Sequence, residues 1–175
     1  MPFTPFHMGP GAAIKAVCGK YFSLMVFGSA QVMIDIEPLI RILRGDSVVH
    51  GLSHTYLGAF LIGAFSLVAG KLFCAYLLRV WNFLTKPKYL RWLNINGTIS
   101  WLSAATGAFI GTFSHVLLDS VIHADVRPFA PFITSNELLD FLPAGWIYLF
   151  CVFLGIFGLF AMALIFAWKK WSIEI

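Results

Sequence analysis

The sequence predicts an all-α polytopic membrane protein of three to four transmembrane helices, with a histidine and carboxylate cluster at one membrane face. Of its 175 residues, 59% are apolar and 11% are charged. Soluble domains average roughly 45–50% apolar and about 25% charged residues. A soluble domain of this length cannot enclose so much apolar surface, and disorder requires the opposite composition. The length suits one integral membrane domain, residues 1–175.

Three apolar runs are long enough to cross the hydrocarbon core, which takes about 20 residues of helix. They cover residues 55–81, 97–122 and 141–168. Lys71 lies within the first run, where a lysine is tolerated if it snorkels or faces other helices. Pro143 suits the first turn of the last helix.

The N-terminal apolar segment is shorter and leaves two paths open. After Lys20, only the 14 residues Tyr21–Ile34 are uncharged. That length fits a buried or re-entrant helix as well as a span, so the path of residues 12–34 stays open. The following stretch, residues 38–44, is expected to form a short amphipathic helix at the interface, closed by Gly45.

The basic residues predict an orientation. Four spans with both termini inside would place eight basic residues inside and three outside, which the positive-inside rule favours. Inside would lie Lys15, Lys20, Arg79, Lys86, Lys88, Arg91, Lys169 and Lys170; outside, Arg41, Arg44 and Arg127. Seven of the eight acidic residues would also face outside. No basic run exceeds two residues, so we expect membrane lipids and no nucleic acid as partners.

Four of the five histidines lie in two short stretches at this outer face. His115, Asp119 and His123 are spaced four apart, which predicts one polar stripe along an apolar helix. His50 and His54 repeat the spacing at the start of another apolar run. The opposite directions of the two runs bring these stretches to the same membrane level.

A third stretch delivers carboxylates to that level. Asp35 and Glu37 end the first segment, and Pro38 disfavours helix at Glu37, which predicts a turn. Imidazole and carboxylate are ligands of zinc, manganese and iron, and two ions bridged by carboxylates activate water and clamp a phosphoryl group. We therefore predict a divalent metal site. His7 joins it only if the N-terminal segment does not span the membrane.

Other interpretations of the same residues stay open. The histidines and acids can form hydrogen bonds or helix caps with no ion, as in a non-catalytic membrane assembly factor. They can also belong to a metal-ion or proton transporter, which requires a polar path through the bilayer. Below the stripe, residues 97–114 offer serines and threonines but no carboxylate, which argues against a proton relay.

The same motifs resemble the YdjM-like family of bacterial inner-membrane metal-dependent hydrolases. The matching pieces are Phe6–Pro10, Ile34–Pro38, His50–Thr55 and Gly111–Asp119, in the order of the family's early His, D-x-[DE]-P, H…[ST]-H-[ST] and S-H-x-x-x-D motifs. The match covers residues 6–125. Many relatives have an Arg where Gly51 stands and an Asp where Glu37 stands. The ligand pattern is similar to that of zinc-dependent phospholipase C, an all-helical enzyme with a multi-metal site.

The resemblance implies a bacterial inner-membrane protein with zinc at the outer face. It implies as metal ligands His7, Asp35, Glu37, His50, His54, His115 and Asp119, with His123 and Asp125 matching less closely as a further ligand or a neighbour of the ligands. The expected reaction is hydrolysis of a phosphoester in a lipid or lipid-linked substrate, with Asp35 or Asp119 as catalytic base or bridging ligand.

Overall fold

A computed structural model describes residues 5–87, 95 and 98–171 of the chain, and in that part all regular structure is helical. The α-helices are α1 (Met8–Cys18), α2 (Leu24–Ile34), α3 (Ile36–Arg44), α4 (Tyr56–Phe65), α5 (Lys71–Leu84), α6 (Trp101–Ile122) and α7 (Ala144–Trp171). The predicted all-α fold is confirmed.

Three helices of the described residues are long and apolar enough to cross a membrane. A π-helical turn, Ser66–Gly70, joins α4 and α5 into one helix, Tyr56–Leu84. The other two are Trp101–Ile122 and Ala144–Trp168. At a rise of 1.5 Å per residue the shortest is about 33 Å long, which exceeds the hydrocarbon thickness of about 30 Å.

The N-terminal segment forms a helical hairpin. Its two helices, α1 and α2, have 11 residues each, or about 16 Å, roughly half the hydrocarbon thickness. Between them lie the 3₁₀ turn Gly19–Tyr21 and the extended Phe22, and Gly19 adopts a φ of +50° that suits glycine. The chain therefore returns to the end from which it entered. Of the two paths left open for residues 12–34, the structure adopts the buried one.

The tip of the hairpin lies against the first turns of α6. The Ser23 amide donates to the Ser103 carbonyl at 3.0 Å, and the Thr106 hydroxyl donates to the Tyr21 carbonyl at 2.6 Å. Ser103 precedes Asp119 by 16 helical residues, about 24 Å. The tip and the two ends of the hairpin thus lie at opposite ends of the bundle.

Small residues let the hairpin approach its neighbours closely, as in other membrane helix pairs. Helix α1 packs along α7, and α2 packs along α6. A Cβ on Gly9 would lie 1.9 Å from the Cys151 carbonyl oxygen, and one on Gly158 would lie 2.3 Å from the Ala12 carbonyl carbon. Gly107 of α6 is equally tight against the backbone of α2. These contacts hold the hairpin inside the bundle.

The prediction of a turn at Asp35–Pro38 is wrong for Glu37 and Pro38, which are helical. Glu37 and Pro38 lie in the first turn of α3, which follows α2 directly after Asp35. A proline is tolerated there because its missing N–H would have no intrahelical acceptor. The predicted end of this helix is confirmed, since Gly45 stops it with a φ of +76°.

We predict that Gly158→Leu destabilises the protein. The leucine side chain would collide with the α1 backbone, which cannot rotate aside. We therefore expect the free energy of unfolding to fall by ~1–3 kcal/mol, as is typical of overpacking. Gly145→Leu is the matched control, because a Cβ at Gly145 meets nothing within 4 Å. Thermal unfolding in detergent measures both, and equal melting temperatures for the two variants would contradict the described packing.

Candidate metal centre

Four side chains from three parts of the chain converge at one end of the bundle. Asp35 lies at the junction of α2 and α3, His54 ends the 3₁₀ turn Leu52–His54, and His115 and Asp119 face inward from α6. One ligand atom from each lies within 4.8 Å of the other three, and all four residues are buried. We call these residues the inner group.

The distances within the inner group suit a small ion. His115 Nε2 lies 3.2 Å from Asp35 Oδ1 and 3.2 Å from Asp119 Oδ2. His54 Nε2 lies 3.2 Å from the same Asp119 oxygen and 3.8 Å from Asp35 Oδ1. With bonds of about 2.0–2.1 Å, the ligand atoms of a tetrahedral zinc site lie about 3.3–3.4 Å apart. The inner group could therefore hold a divalent metal ion.

The chemistry of the two imidazoles fits this interpretation. The Nε2 atoms of His54 and His115 are buried, and neither makes a hydrogen bond of normal geometry, although both lie beside carboxylates. A buried polar nitrogen without a partner is unfavourable. A cation between the nitrogens and the carboxylates would satisfy all four groups at once.

The other ring nitrogens are engaged by neighbouring side chains. His115 Nδ1 donates to Gln31 Oε1, which leaves Nε2 as the nitrogen available to a metal ion. His54 Nδ1 bonds the Ser53 hydroxyl at 2.9 Å. The sequence interpretation missed Gln31. Its signal is a lone amide in apolar α2, four residues before Asp35 and hence on the same helix face.

His7 lies directly beside the inner group. Its Nε2 is 3.5 Å from Asp119 Oδ1, and its ring meets that of His115 edge-on at 4.6 Å. Burial lowers the pKa of His7 to about 4, against the opposing effect of Asp119, so the ring is neutral at pH 7. The hairpin explains this position, because it brings the start of α1 back to the level of Asp35.

A second set of possible ligands lies next to the first and is more exposed. His50, His123 and Asp125 each bring one ligand atom within 4.8 Å of the other two, and we call them the outer group. The rings of His50 and His123 stack at 4.6 Å, and His50 also meets the ring of His54 at 4.6 Å. Burial lowers the pKa of both outer histidines, which favours the neutral imidazole that a metal ion requires.

Asp125 fixes the position of His50. One carboxylate oxygen accepts from His50 Nδ1 at 2.8 Å, and the other accepts from the backbone amides of Val49 and His50 at 2.9 and 3.0 Å. Although partial burial alone would raise the pKa of Asp125, these hydrogen bonds bring it down to about 2. Asp125 therefore orients an imidazole, in the manner of carboxylates that support metal-binding histidines.

The predicted stripe is wrong for His123, and the helix start that the sequence left open near His50 and His54 lies further along the chain. His50 and His54 are not on one helix face, because α4 begins only at Tyr56, after a 3₁₀ turn. His123 leaves the stripe of His115 and Asp119, because α6 ends at Ile122 and His123 is extended. The Asn136 side chain donates to the Ser120 and His123 carbonyls and so satisfies acceptors at the end of the helix.

Glu37, which we expected among the ligands, is in neither group of the described residues. It accepts from Arg41 Nε and Nη2 at 2.9 and 2.8 Å and from the Ser53 amide at 2.7 Å. Although burial alone would raise the pKa of Glu37, these bonds lower it. A Cβ on Gly51 would lie 2.0 Å from Glu37 Oε1, so the ion pair leaves no room for a side chain there.

Comparison with protein-family models, curated proteins and solved structures finds no match to this chain. The YdjM-like family therefore stays a prediction that rests on the spaced motifs.

We predict that Gln31→Leu weakens metal binding while all four inner ligands remain. Without the acceptor for Nδ1, the His115 ring loses its fixed orientation, so we expect affinity for Zn²⁺ to fall about 10–100-fold. Competition with a chromophoric chelator measures this change. Gln31→Glu keeps an acceptor oxygen and should bind like the parent chain. Equal affinity in Gln31→Leu and the parent would contradict this role of Gln31.

Proposed function

We propose that this protein is a membrane-bound metal-dependent hydrolase that cleaves a phosphoester of a lipid or lipid-linked substrate, with zinc as the ion. The observation that supports it is the buried convergence of Asp35, His54, His115 and Asp119 at the end of an apolar bundle. A divalent ion bound there supplies a Lewis acid for a phosphoryl oxygen and makes water more acidic.

The two carboxylates have different surroundings, which suggests different tasks. Asp119 Oδ2 lies between the two inner imidazoles, whereas its Oδ1 faces His7 at 3.5 Å. Asp119 can therefore bind an ion with one oxygen and hold a proton from water or substrate at the other. Asp35 Oδ1 lies 3.8 Å from His54 Nε2 and 3.2 Å from His115 Nε2 and would serve as the second anionic ligand. Together the two acids balance the charge of a divalent ion.

The position of the site along the spanning helices supports a lipid substrate. The inner group lies at the start of one spanning helix, Tyr56–Leu84, and near the end of another, Trp101–Ile122. Headgroup phosphates of a bilayer lie at this level. Lys15 and Lys20 lie near the hairpin tip, at the opposite end of the bundle. By the positive-inside rule this favours a site on the outer side of a bacterial inner membrane.

A transporter is the second candidate, and the interior of the bundle does not favour it. Between Ser103 and His115, α6 carries no charged residue. The amine of Lys71 lies over the Trp101 ring at 4.2 Å and so does not contribute to the inner group. Among the described residues, the histidines and carboxylates that could hold a metal ion lie at one end of α6. A site open to one face of the membrane requires this arrangement.

We predict metal-dependent hydrolysis of phospholipid by the purified protein in vesicles. Release of the headgroup or its phosphate should stop with a chelator and return with Zn²⁺. Asp119→Asn should lower the rate by at least ~100-fold, since it removes both a ligand charge and a proton acceptor. Glu137→Gln, an exposed acid outside both groups, is the control and should leave the rate unchanged.

The competing functions give different results in the same vesicles. Accumulation of Zn²⁺ inside them without hydrolysis would support the transporter instead. A protein that binds no metal and is insensitive to chelator and to Asp119→Asn would support a structural role, as in an assembly factor. Either outcome would contradict the proposed hydrolase.

A further inference from the structure

We propose that the groove between α3 and α4 binds a zwitterionic glycerophospholipid, with its headgroup at Arg44 and Asp46 and one acyl chain along α4. As an assignment of substrate class this rests on the proposed function. As a lipid-binding site it stands on the shape, depth and charge of the groove alone.

The groove has a volume of about 650 Å³, within the range of small-molecule sites. It is lined by Met33, Ile36, Glu37, Ile40, Arg41, Arg44, Asp46, Ser53, Leu61, Ile62 and Phe65. Its charged side chains come from α3 and the residue after Gly45, its α4 wall is wholly apolar, and Met33, Ile36 and Ile40 extend the apolar lining across the groove. Such a division along one groove matches an amphiphile and not a water-soluble ligand.

The apolar half of the groove lies at the depth of acyl chains. Leu61 and Phe65 follow Tyr56, the first residue of its spanning helix, by five and nine residues, or about 8 and 14 Å. Both side chains are more than half exposed, at 54% and 56%. Water does not fill a groove at that depth in a bilayer, so a lipid chain is the occupant that fits.

The charged half of the groove is balanced. The Glu37–Arg41 pair neutralises itself. Arg44 and Asp46 flank Gly45, where α3 ends, and neither makes an ion pair within the described part of the chain. They leave one cation for a phosphate and one anion for an ammonium. An anionic headgroup would meet Arg44 equally well but would be repelled by Asp46.

The groove borders the inner group. Glu37 and Ser53 form part of its wall, and the Ser53 hydroxyl bonds His54 Nδ1 at 2.9 Å. A phospholipid in the groove therefore lies against a direct hydrogen-bond neighbour of one of the proposed metal ligands. This adjacency is what links lipid binding to the proposed hydrolysis.

The test uses the full chain, purified in detergent, stripped of lipid and treated with chelator so that turnover is prevented. Native mass spectrometry with added phosphatidylethanolamine should show one bound lipid per chain. Phosphatidylglycerol with the same acyl chains should bind about tenfold more weakly. Arg44→Ala should lower phosphatidylethanolamine affinity about tenfold, the effect of losing one charge-assisted hydrogen bond.

Leu61→Trp should block the groove and also weaken binding about tenfold. Its control is Leu72→Trp, because Leu72 is 60% exposed on the same long helix but does not line the groove. Equal binding of both lipids, or binding unchanged by Arg44→Ala and Leu61→Trp, would overturn the proposal. Selective lipid binding without hydrolysis by the zinc-loaded protein would support the lipid site in the groove and contradict the proposed hydrolase.

Discussion

The arrangement depends on one electrostatic constraint, the burial of two carboxylates at the end of an apolar bundle. Asp35 is 4% and Asp119 is 5% exposed, and both reach the same imidazole nitrogen of His115. Two carboxylates that both contact one nitrogen repel each other strongly in a medium of low dielectric constant, unless a cation or hydrogen-bond donors lie between them. The hairpin brings His7 and Asp35 to this point, and the 3₁₀ turn before α4 brings His54. These irregular parts of the fold therefore place imidazoles beside the buried carboxylates.

The spanning helices and the pair His115–Asp119 could be predicted because they depend only on run length and regular helical spacing. The hairpin could not be predicted, since 14 uncharged residues fit a membrane span and a re-entrant segment equally well. Its path is decided by the close contact of Gly9 and Gly158 with a partner helix. Which helices pair through their small residues is a property of the assembled bundle.

Helical spacing did not describe how the histidines outside the helices come together. His50, His54 and His123 meet through a 3₁₀ turn and an extended residue, so their four-residue spacing is incidental. Glu37 differs from expectation for a second reason, whereas Asp125 is a neighbour of His50 as the resemblance implies. A carboxylate takes the partner that lies nearest in space, and for Asp125 that is the His50 loop, 75 residues away in sequence.

The two groups together make the site one-sided, and this bears on what it can do. The inner group is buried, while the outer group is half-buried and touches it through the His50 and His54 rings. A pocket of about 100 Å³ reaches the inner group directly and is lined by Gln31, Asp35 and His115, beside Met8 and Gly28 of the hairpin. At the far end of α6, the bonds from Ser23 to Ser103 and from Thr106 to Tyr21 hold the hairpin tip against the helix. A transporter must open at both ends, whereas a hydrolase needs one entrance, and among the described residues both groups of possible metal ligands lie at the same end of the bundle.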